Sequence, residues 1–544
     1  MFKRRIKKIV SKANTRMTVR LAAVILASST LLSSLLGFAR DRLLNSYYLD
    51  SYPAGIDAYT VAFTIPDFMF FILVSGALSV TFIPVFNQRM AKNNKKSAWE
   101  LSSSVLNLLA LLTLVTSVLI IVFAEPLVKY VVGPGLNESS RALAVSMMRV
   151  IAINPFLFAI ATVLTSVQQA IGRFTFSALA PAIYNIGIII GTLFFTNGIS
   201  IFGWKIFEGG IMGVAIGVAF GSILQLLVAV IGLIGVGFDY NFKIFWKNKG
   251  FRQVMRLLPT RSMDQGIDYV NSIVETNMAS RMGAGTVRAY QQGLTLHMMP
   301  INLIGVAIST AFFPNLTEKL AIGRKDLFRK ELQQALSTII FLSLPIAVIF
   351  YFMRGYIVNF IKNGGDSLIA SLLGVLVVSI FCRSVYHIAA RSFYAMEDTK
   401  TPLRVSIFAI GLNILLAIWF SLSLKLGAHG LAWAQSIGAL SEIIILLVLM
   451  RGRIEGLFST RFISGIVRML AASAITGFVC YVLVTFFPLL DSDERFFSTF
   501  PKFLMIGGMS VLSYLVSAKI FRIKEADPIV AYLRKILFGQ IKPR

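Results

Sequence analysis

Apolar runs of about 20 residues, the length a helix needs to cross the hydrocarbon core of a bilayer, recur from one end of this chain to the other. Roughly fourteen spans are predicted, centred near residues 29, 74, 113, 158, 187, 222, 269, 303, 344, 379, 413, 440, 475 and 510. Lipid accepts a spanning segment only if its backbone hydrogen bonds close internally, so the expected fold is an all-α polytopic membrane protein. Composition agrees: 56% of the 544 residues are hydrophobic and 14% are charged, against about 25% charged in soluble domains. The net charge of +27 could point to nucleic acid. However, Lys and Arg gather in short clusters between apolar runs, not along one face, so no nucleic-acid partner is expected.

Those clusters set the orientation. MFKRRIKKIVSK, QRMAKNNKK, EKLAIGRKDLFRK, RGRIEG and the basic tail fall on one side. About 36 basic residues sort there and about 13 to the other side, which puts both termini in the cytoplasm of a cell whose plasma membrane holds the protein. No small-residue cleavage pattern follows the first run, so it reads as a retained span. Cys382 and Cys480 both lie within apolar runs and offer neither a disulfide framework nor metal spacing. Phosphate-binding loops, paired-His zinc helices and nucleophile elbows are missing from the sequence, so the expected role is a transporter and not an enzyme.

Two stretches share a frame. AYTVAFTIPDFMFFILVSGALSVTFIPVF and AYQQGLTLHMMPINLIGVAISTAFFP each open Ala-Tyr, carry a mid-span proline (Pro66, Pro300) and close Phe-x-Pro (Pro84, Pro314). Their offset of about 230 residues equals about six spans and predicts two six-helix lobes in parallel repeat with two helices appended. The expected segments are a basic N-terminal stretch (1–16), an N-lobe (17–237), a linker (238–257), a C-lobe (258–450), two further spans (451–521) and a basic tail (522–544).

A charge in or beside a span costs several kcal/mol unless it has a partner or a water-filled space to face. Arg40, Asp41 and Arg42 end the first run. Arg261, Asp264, Asp268 and Glu275 share one face of span seven, where Arg261 and Asp264 can neutralise each other. Glu275 has no basic neighbour on its N-terminal side and calls for a cation or a proton. Arg383, His387 and Arg391 lie four apart on span ten, where like charges repel and an external anion would relieve them. Arg281 and Arg288 flank the turn RMGAGTVR, and His297 and His429 read as packing residues. Gly209, Gly213, Gly217 and Gly221 recur every four residues, the mark of close helix packing.

LLGFARD (35–41), GIDAYTVAFTIPDF (55–68), GRFTFSALAPAIYNIGII (172–189), ETNMAS (275–280) and RSFYAMEDTKTPLR (391–404) together resemble the MurJ/MviN lipid II flippases of the multidrug/oligosaccharidyl-lipid/polysaccharide (MOP) exporter superfamily. The resemblance implies a MATE-like parallel repeat and alternating access that moves undecaprenyl-pyrophosphate disaccharide-pentapeptide from the inner to the outer leaflet; a monomer is the expected state. It implies that Arg40 attracts the pyrophosphate and that Asp57 is the motif acid, with Asp41 or Asp57 holding Arg40. Three further cavity arginines of the family fall on Ser34, Phe70 and Thr295, and a cavity glutamate falls on Met298. Arg16, Arg20, Arg42, Arg281, Arg288 or Arg383 are the candidate substitutes, and His387 joins them as a possible substrate contact. No cofactor is implied with certainty. Glu275 and Asn413 match two positions of a sodium site found in some relatives, whereas Ala417 stands where a further acid is expected. Na+ or the membrane potential is the expected driving force. The alternatives are a cation-coupled exporter of another lipid-linked oligosaccharide or drug, and a membrane scaffold without transport.

Overall fold

A computed structural model describes residues 17–75, 81–201, 204–493 and 495–531. The basic segment 1–16, the tail beyond 531, residues 76–80 of the repeat frame, and the side chains of Arg20, Arg261, Asp264 and Asp268 lie outside the described residues. The chain divides into two compact units, with the division at Arg288 and Ala289.

The first unit holds α1 (Val19–Tyr48), α2 (Pro53–Phe70), α3 (Ile83–Ala91), α4 (Lys95–Pro126), α5 (Glu138–Ile151), α6 (Asn154–Ala170), α7 (Thr175–Phe194), α8 (Met212–Ile231) and α9 (Lys249–Ser280). A short antiparallel ribbon, β1 (Ile199–Ile201) with β2 (Trp204–Phe207), links α7 to α8. Next comes α10 (Thr286–Pro300), whose first turn is grouped with the first unit. The second unit continues through α11 (Ala307–Ala321), α12 (Lys325–Phe352), α13 (Arg354–Ile361), α14 (Ser367–Ala395), α15 (Lys400–Ile418), α16 (Ala428–Arg453), α17 (Thr460–Phe486) and α18 (Phe496–Ile520).

Among the described residues, 13 helical segments are long and apolar enough to cross a membrane. The helix at expected span seven, α9, is not one of them. It has 32 residues, but Arg252, Arg256, Arg261, Asp264, Asp268 and Glu275 dilute its apolar content.

The helices are sorted for lipid. On α4, Leu111, Val115, Val118 and Val122 are exposed at helical spacing, while Leu109, Thr113, Ser117 and Ala124 are buried. The exposed positions of this set are all large and apolar, and the buried ones include the small or hydroxyl-bearing Thr113, Ser117 and Ala124, residue types favoured where helices pack within lipid. Thr113 returns its hydroxyl to the Leu109 carbonyl at 2.6 Å, so no buried donor is stranded there. Asn94 and Thr18 start α4 and α1 by accepting N–H bonds from Ser97 and Leu21.

Gly187 and Gly191 of α7 lie directly against Gly221 and Gly217 of α8. A Cβ built on Gly187 or Gly191 would come within 2.2 or 2.4 Å of the facing Cα. Three of the four glycines in the sequence stripe therefore lie on α8, whereas Gly209 precedes the helix in a turn at φ +98°. Pro66 and Pro300 precede π-helical stretches at Phe71–Ser75 and Ile301–Val306. A proline removes one donor and clashes with the carbonyl four residues back, and the ladder then slips register. Each unit thus carries a span interrupted at corresponding places of the repeated frame, and further π-helical stretches end the spans at Leu127–Val132 and Trp419–Ser423. The second unit's core gathers Phe341, Phe393, Leu446, Met450 and Met469, with Tyr514 donating to the Phe341 carbonyl at 2.8 Å.

Candidate functional site

Four ionisable residues of the first unit, Arg40, Asp41, Asp57 and Arg288, converge near the turn that joins α1 to α2. Arg40 donates from Nε and Nη2 to Asp41 Oδ1 at 3.3 and 3.1 Å and from Nη1 to Asn185 Oδ1 at 3.0 Å. Asn185, on α7, is fixed in turn by donating to the Ser33 carbonyl at 3.2 Å. Arg288 reaches the same oxygen, donating from Nη2 to Asp41 Oδ1 at 3.1 Å and from Nε to Asn45 Oδ1 at 2.8 Å. One carboxylate therefore serves two guanidiniums. The Arg288 side chain is 6% exposed and that of Arg40 is 25% exposed. Arg288 is the more deeply buried member of the pair, and the Arg40 side chain stays partly exposed.

Asp57 lies in the first turns of α2 and is buried. It accepts the backbone N–H of Gly285 at 2.6 Å and of Arg288 at 2.8 Å. Those are free donors at the start of α10, where a carboxylate also meets the positive end of the helix dipole. Asp41, and not Asp57, is therefore the acid that holds Arg40. Arg42 is partly buried on α1. Arg281 is exposed at the end of α9 and donates to Asn277 at 3.1 Å, apart from this cluster.

In the second unit Arg383 pairs with Glu442 of α16 at 3.1 Å and lies over the Tyr386 ring. Ser406 donates to the other oxygen of Glu442 at 2.7 Å and is linked to Tyr386 Oη at 3.0 Å. The like-charge face of α14 thus has a neutralising partner on another helix. His387 is partly buried beside Tyr386, and Arg391 lies over Phe313. Glu275, in the first unit, is 4% exposed and accepts from Asn271 at 3.0 Å. Asn413, in the second unit, donates to Gln435 at 2.9 Å. Among the described residues no group of three His, Cys, Asp or Glu could hold a metal ion.

The sequence reading passed over Asn45, Asn185, Glu442 and Asp67. For the two acids the signal was present, a carboxylate inside an apolar run; the two asparagines gave none. The DTKTP motif has a local explanation. Asp398 accepts the N–H groups of Lys400 and Thr401, the Thr401 hydroxyl at 2.6 Å and Arg453 at 2.5 Å, which together start α15. Chiefly the Thr401 hydrogen bond, with its backbone N–H, holds the Asp398 carboxyl down at about 2.

The fold is similar to that of a multidrug resistance MATE transporter in an inward-facing conformation, with a TM-score of 0.66, 16% identity and coverage of 80% of this chain and 99% of that one. A structure of the lipid II flippase MurJ in an inward closed conformation is more similar, with a TM-score of 0.74, 25% identity and coverage of 92% and 98%. A probable lipid II flippase MurJ from Borreliella burgdorferi is 22% identical over 94% of this chain and 98% of its own length. The lipid II flippase MurJ from Thermosipho africanus is 27% identical over 79% and 86%. Residues 52–500 match the family profile described as lipid II flippase MurJ, a stretch that includes Asp57, Asn185 and Arg288. With most of its length inside that match, the chain belongs to the lipid II flippase MurJ family.

Proposed function

We propose that this protein flips lipid II, the undecaprenyl-pyrophosphate disaccharide-pentapeptide, from the inner to the outer leaflet of the plasma membrane by alternating access, as a monomer with both termini in the cytoplasm. The observation that carries the reading is the shared oxygen of Asp41. A pyrophosphate crossing hydrocarbon must be charge-compensated, and guanidinium forks match phosphate oxygens two at a time. Arg40 is held by one side-chain acid and one amide, with part of its surface open, so an anion can exchange with Asp41 for it. Arg288 then keeps Asp41 compensated while Arg40 is engaged. Arg288 thereby supplies, from the first turn of α10, a cation that Thr295 does not. Arg42, Arg383 and His387 are further candidate contacts to the substrate, Arg281 a dispensable one, and Glu275 and Asn413 are candidate cation-binding residues, each within its own unit, through which Na+ would couple.

The test is leaflet inversion of lipid II in cells depleted of their own flippase, with the native chain or Arg40→Ala expressed at equal level. Inversion with the native chain and its loss in the variant is the expected result. A stably inserted native chain that fails to invert lipid II overturns the reading. Export of another lipid-linked oligosaccharide, favoured by Ser34, Phe70 and Thr295 at positions otherwise basic, would then take its place.

A further inference from the structure

Asp67 lies well inside a membrane-crossing helix, immediately after Pro66 and just before the π-helical stretch Phe71–Ser75. Among the described residues its carboxylate makes no hydrogen bond and no ion pair; only its backbone carbonyl is used, by the Phe71 N–H. Among the described residues, the charged or titratable side chains that act on it are Arg40 of α1, Tyr59 on its own helix and Tyr184 of α7. The described residues of α4, α5, α6 and α9, which also pack on α2 or its π-helical extension, supply none. Aromatic rings close the surroundings: Phe70 meets Phe158, Phe158 meets Tyr184, and Phe71 stacks on Tyr269 with centroids 4.4 Å apart.

Depth places Arg40 between two acids. Taking ~1.5 Å per residue from the α1–α2 turn, Asp57 is about 6 Å along α2, Arg40 about 12 Å back along α1, and Asp67 about 21 Å along α2. On the shallow side of Arg40 the carboxylates of Asp41 and Asp57 each accept hydrogen bonds. On the deep side, among the described residues, the half-buried Asp67 carboxylate has no hydrogen-bond donor, in a region where an unsatisfied charge costs several kcal/mol.

We propose that Asp67 is a proton-binding site of the first unit, set against Arg40, and that it takes up a proton from the aqueous phase when an anionic head group engages Arg40. With Asp67 ionised, the set Arg40, Arg288, Asp41, Asp57 and Asp67 carries one more negative group than positive ones. With a proton on Asp67 the two signs balance, and Arg40 is free of the deeper carboxylate. An arriving pyrophosphate then meets less repulsion, and by linkage its binding favours the proton equally. The proton returns to water when the head group leaves. This ties transport to a proton through a residue distinct from Glu275. The head-group link rests on the lipid II reading, whereas the proton site does not.

The test uses the purified full chain in nanodiscs, titrated from alkaline to acid buffer and followed by infrared difference spectroscopy of the protonated carboxyl stretch. A titrating band is expected in the native protein and in Glu275→Gln, and its loss in Asp67→Asn, an isosteric change; Asp67→Glu should restore it, displaced. A native protein without the band, a band that survives in Asp67→Asn, or one that follows sodium and not pH overturns the proposal. A short-chain polyprenyl pyrophosphate serves as the binding probe. Its affinity for the native protein should fall as pH rises, by at most about tenfold per unit for one linked proton, and stay flat in Asp67→Asn. Equal pH dependence in both proteins overturns the link to Arg40. A titrating band with no probe binding by either protein counts against the lipid II reading and supports the proton site.

Discussion

Arg288 donates to the Asp41 carboxylate at 3.1 Å from 247 residues further along the chain. Asp41 also holds Arg40, so its removal leaves two guanidiniums short of a partner. Breaking a buried pair from one side costs about 3–5 kcal/mol, more than the net worth of the pair. Asp41→Ala should therefore lower the thermal unfolding temperature in detergent sharply, and Arg288→Met added to it should recover part of the loss. Purely additive losses in the double variant would show that the two residues do not act through each other.

Transport should separate the two arginines that flank RMGAGTVR. Arg288→Ala is expected to abolish complementation of a flippase-depleted strain at normal protein level. Arg281→Ala should grow, because that side chain is exposed and bonds only to Asn277 among the described residues. Loss of growth in both, or in Arg281→Ala alone, would contradict the site as drawn.

The glycine contact between α7 and α8 gives a paired test. Gly191→Ala puts a Cβ 2.4 Å from the Gly217 Cα and should lower the unfolding temperature or block insertion. Gly411→Ala has nothing within 4 Å to meet and should be neutral or stabilising by about 1 kcal/mol, since alanine is the better helix former. Equal stability of the two variants would show that this packing is not what sets the α7–α8 distance.

Asp398 makes one contribution dependent on pH. Its folded value of about 2 lies below the ordinary 3.8. The stability it adds is thus fully present above the ordinary carboxylate range and is lost as pH falls through about 2. Asp398→Ala should cost about 1 kcal/mol at neutral pH, the usual loss of a helix cap. Thr401→Ala removes the leading hydrogen bond and should move the acid loss to higher pH. Acid unfolding curves of the three proteins, recorded on one detergent-solubilised preparation each, decide it; superimposable curves would reject the assignment.

Much of this was legible in the chain itself. A run of about 20 apolar residues has one low-energy fate in a bilayer, so the spans, the all-helical class and the proline breaks follow from local pattern. The small-residue stripe at Gly213, Gly217 and Gly221 pointed to close packing for the same local reason, though its partners Gly187 and Gly191 did not declare themselves. The ribbon between α7 and α8 gave no such signal, because its residues carry neither a turn dipeptide nor strict alternation. The charged α9 was placed as a span by its position in the series, yet its composition does not meet the apolar criterion that the other spans meet.

Charge pairing was the part that pattern could not supply. Spacing along one helix made Arg383, His387 and Arg391 a mutually repelling face, and only the packing of α14 with α16 brings Glu442 to Arg383 at 3.1 Å. The motif LLGFARD named Arg40 but left Asp41 and Asp57 as equal candidates to hold it. The fold gives Arg40 to Asp41, sends Asp57 to the open N–H groups of α10, and brings in Arg288 and Asn185 from remote helices. The sequence by itself determined which segments enter the membrane, because that depends on the transfer energy of each segment alone. The tertiary structure decided which charges share an oxygen and which, like Asp67, meet no donor among the described residues, because that depends on the few ångströms between side chains that only packing sets.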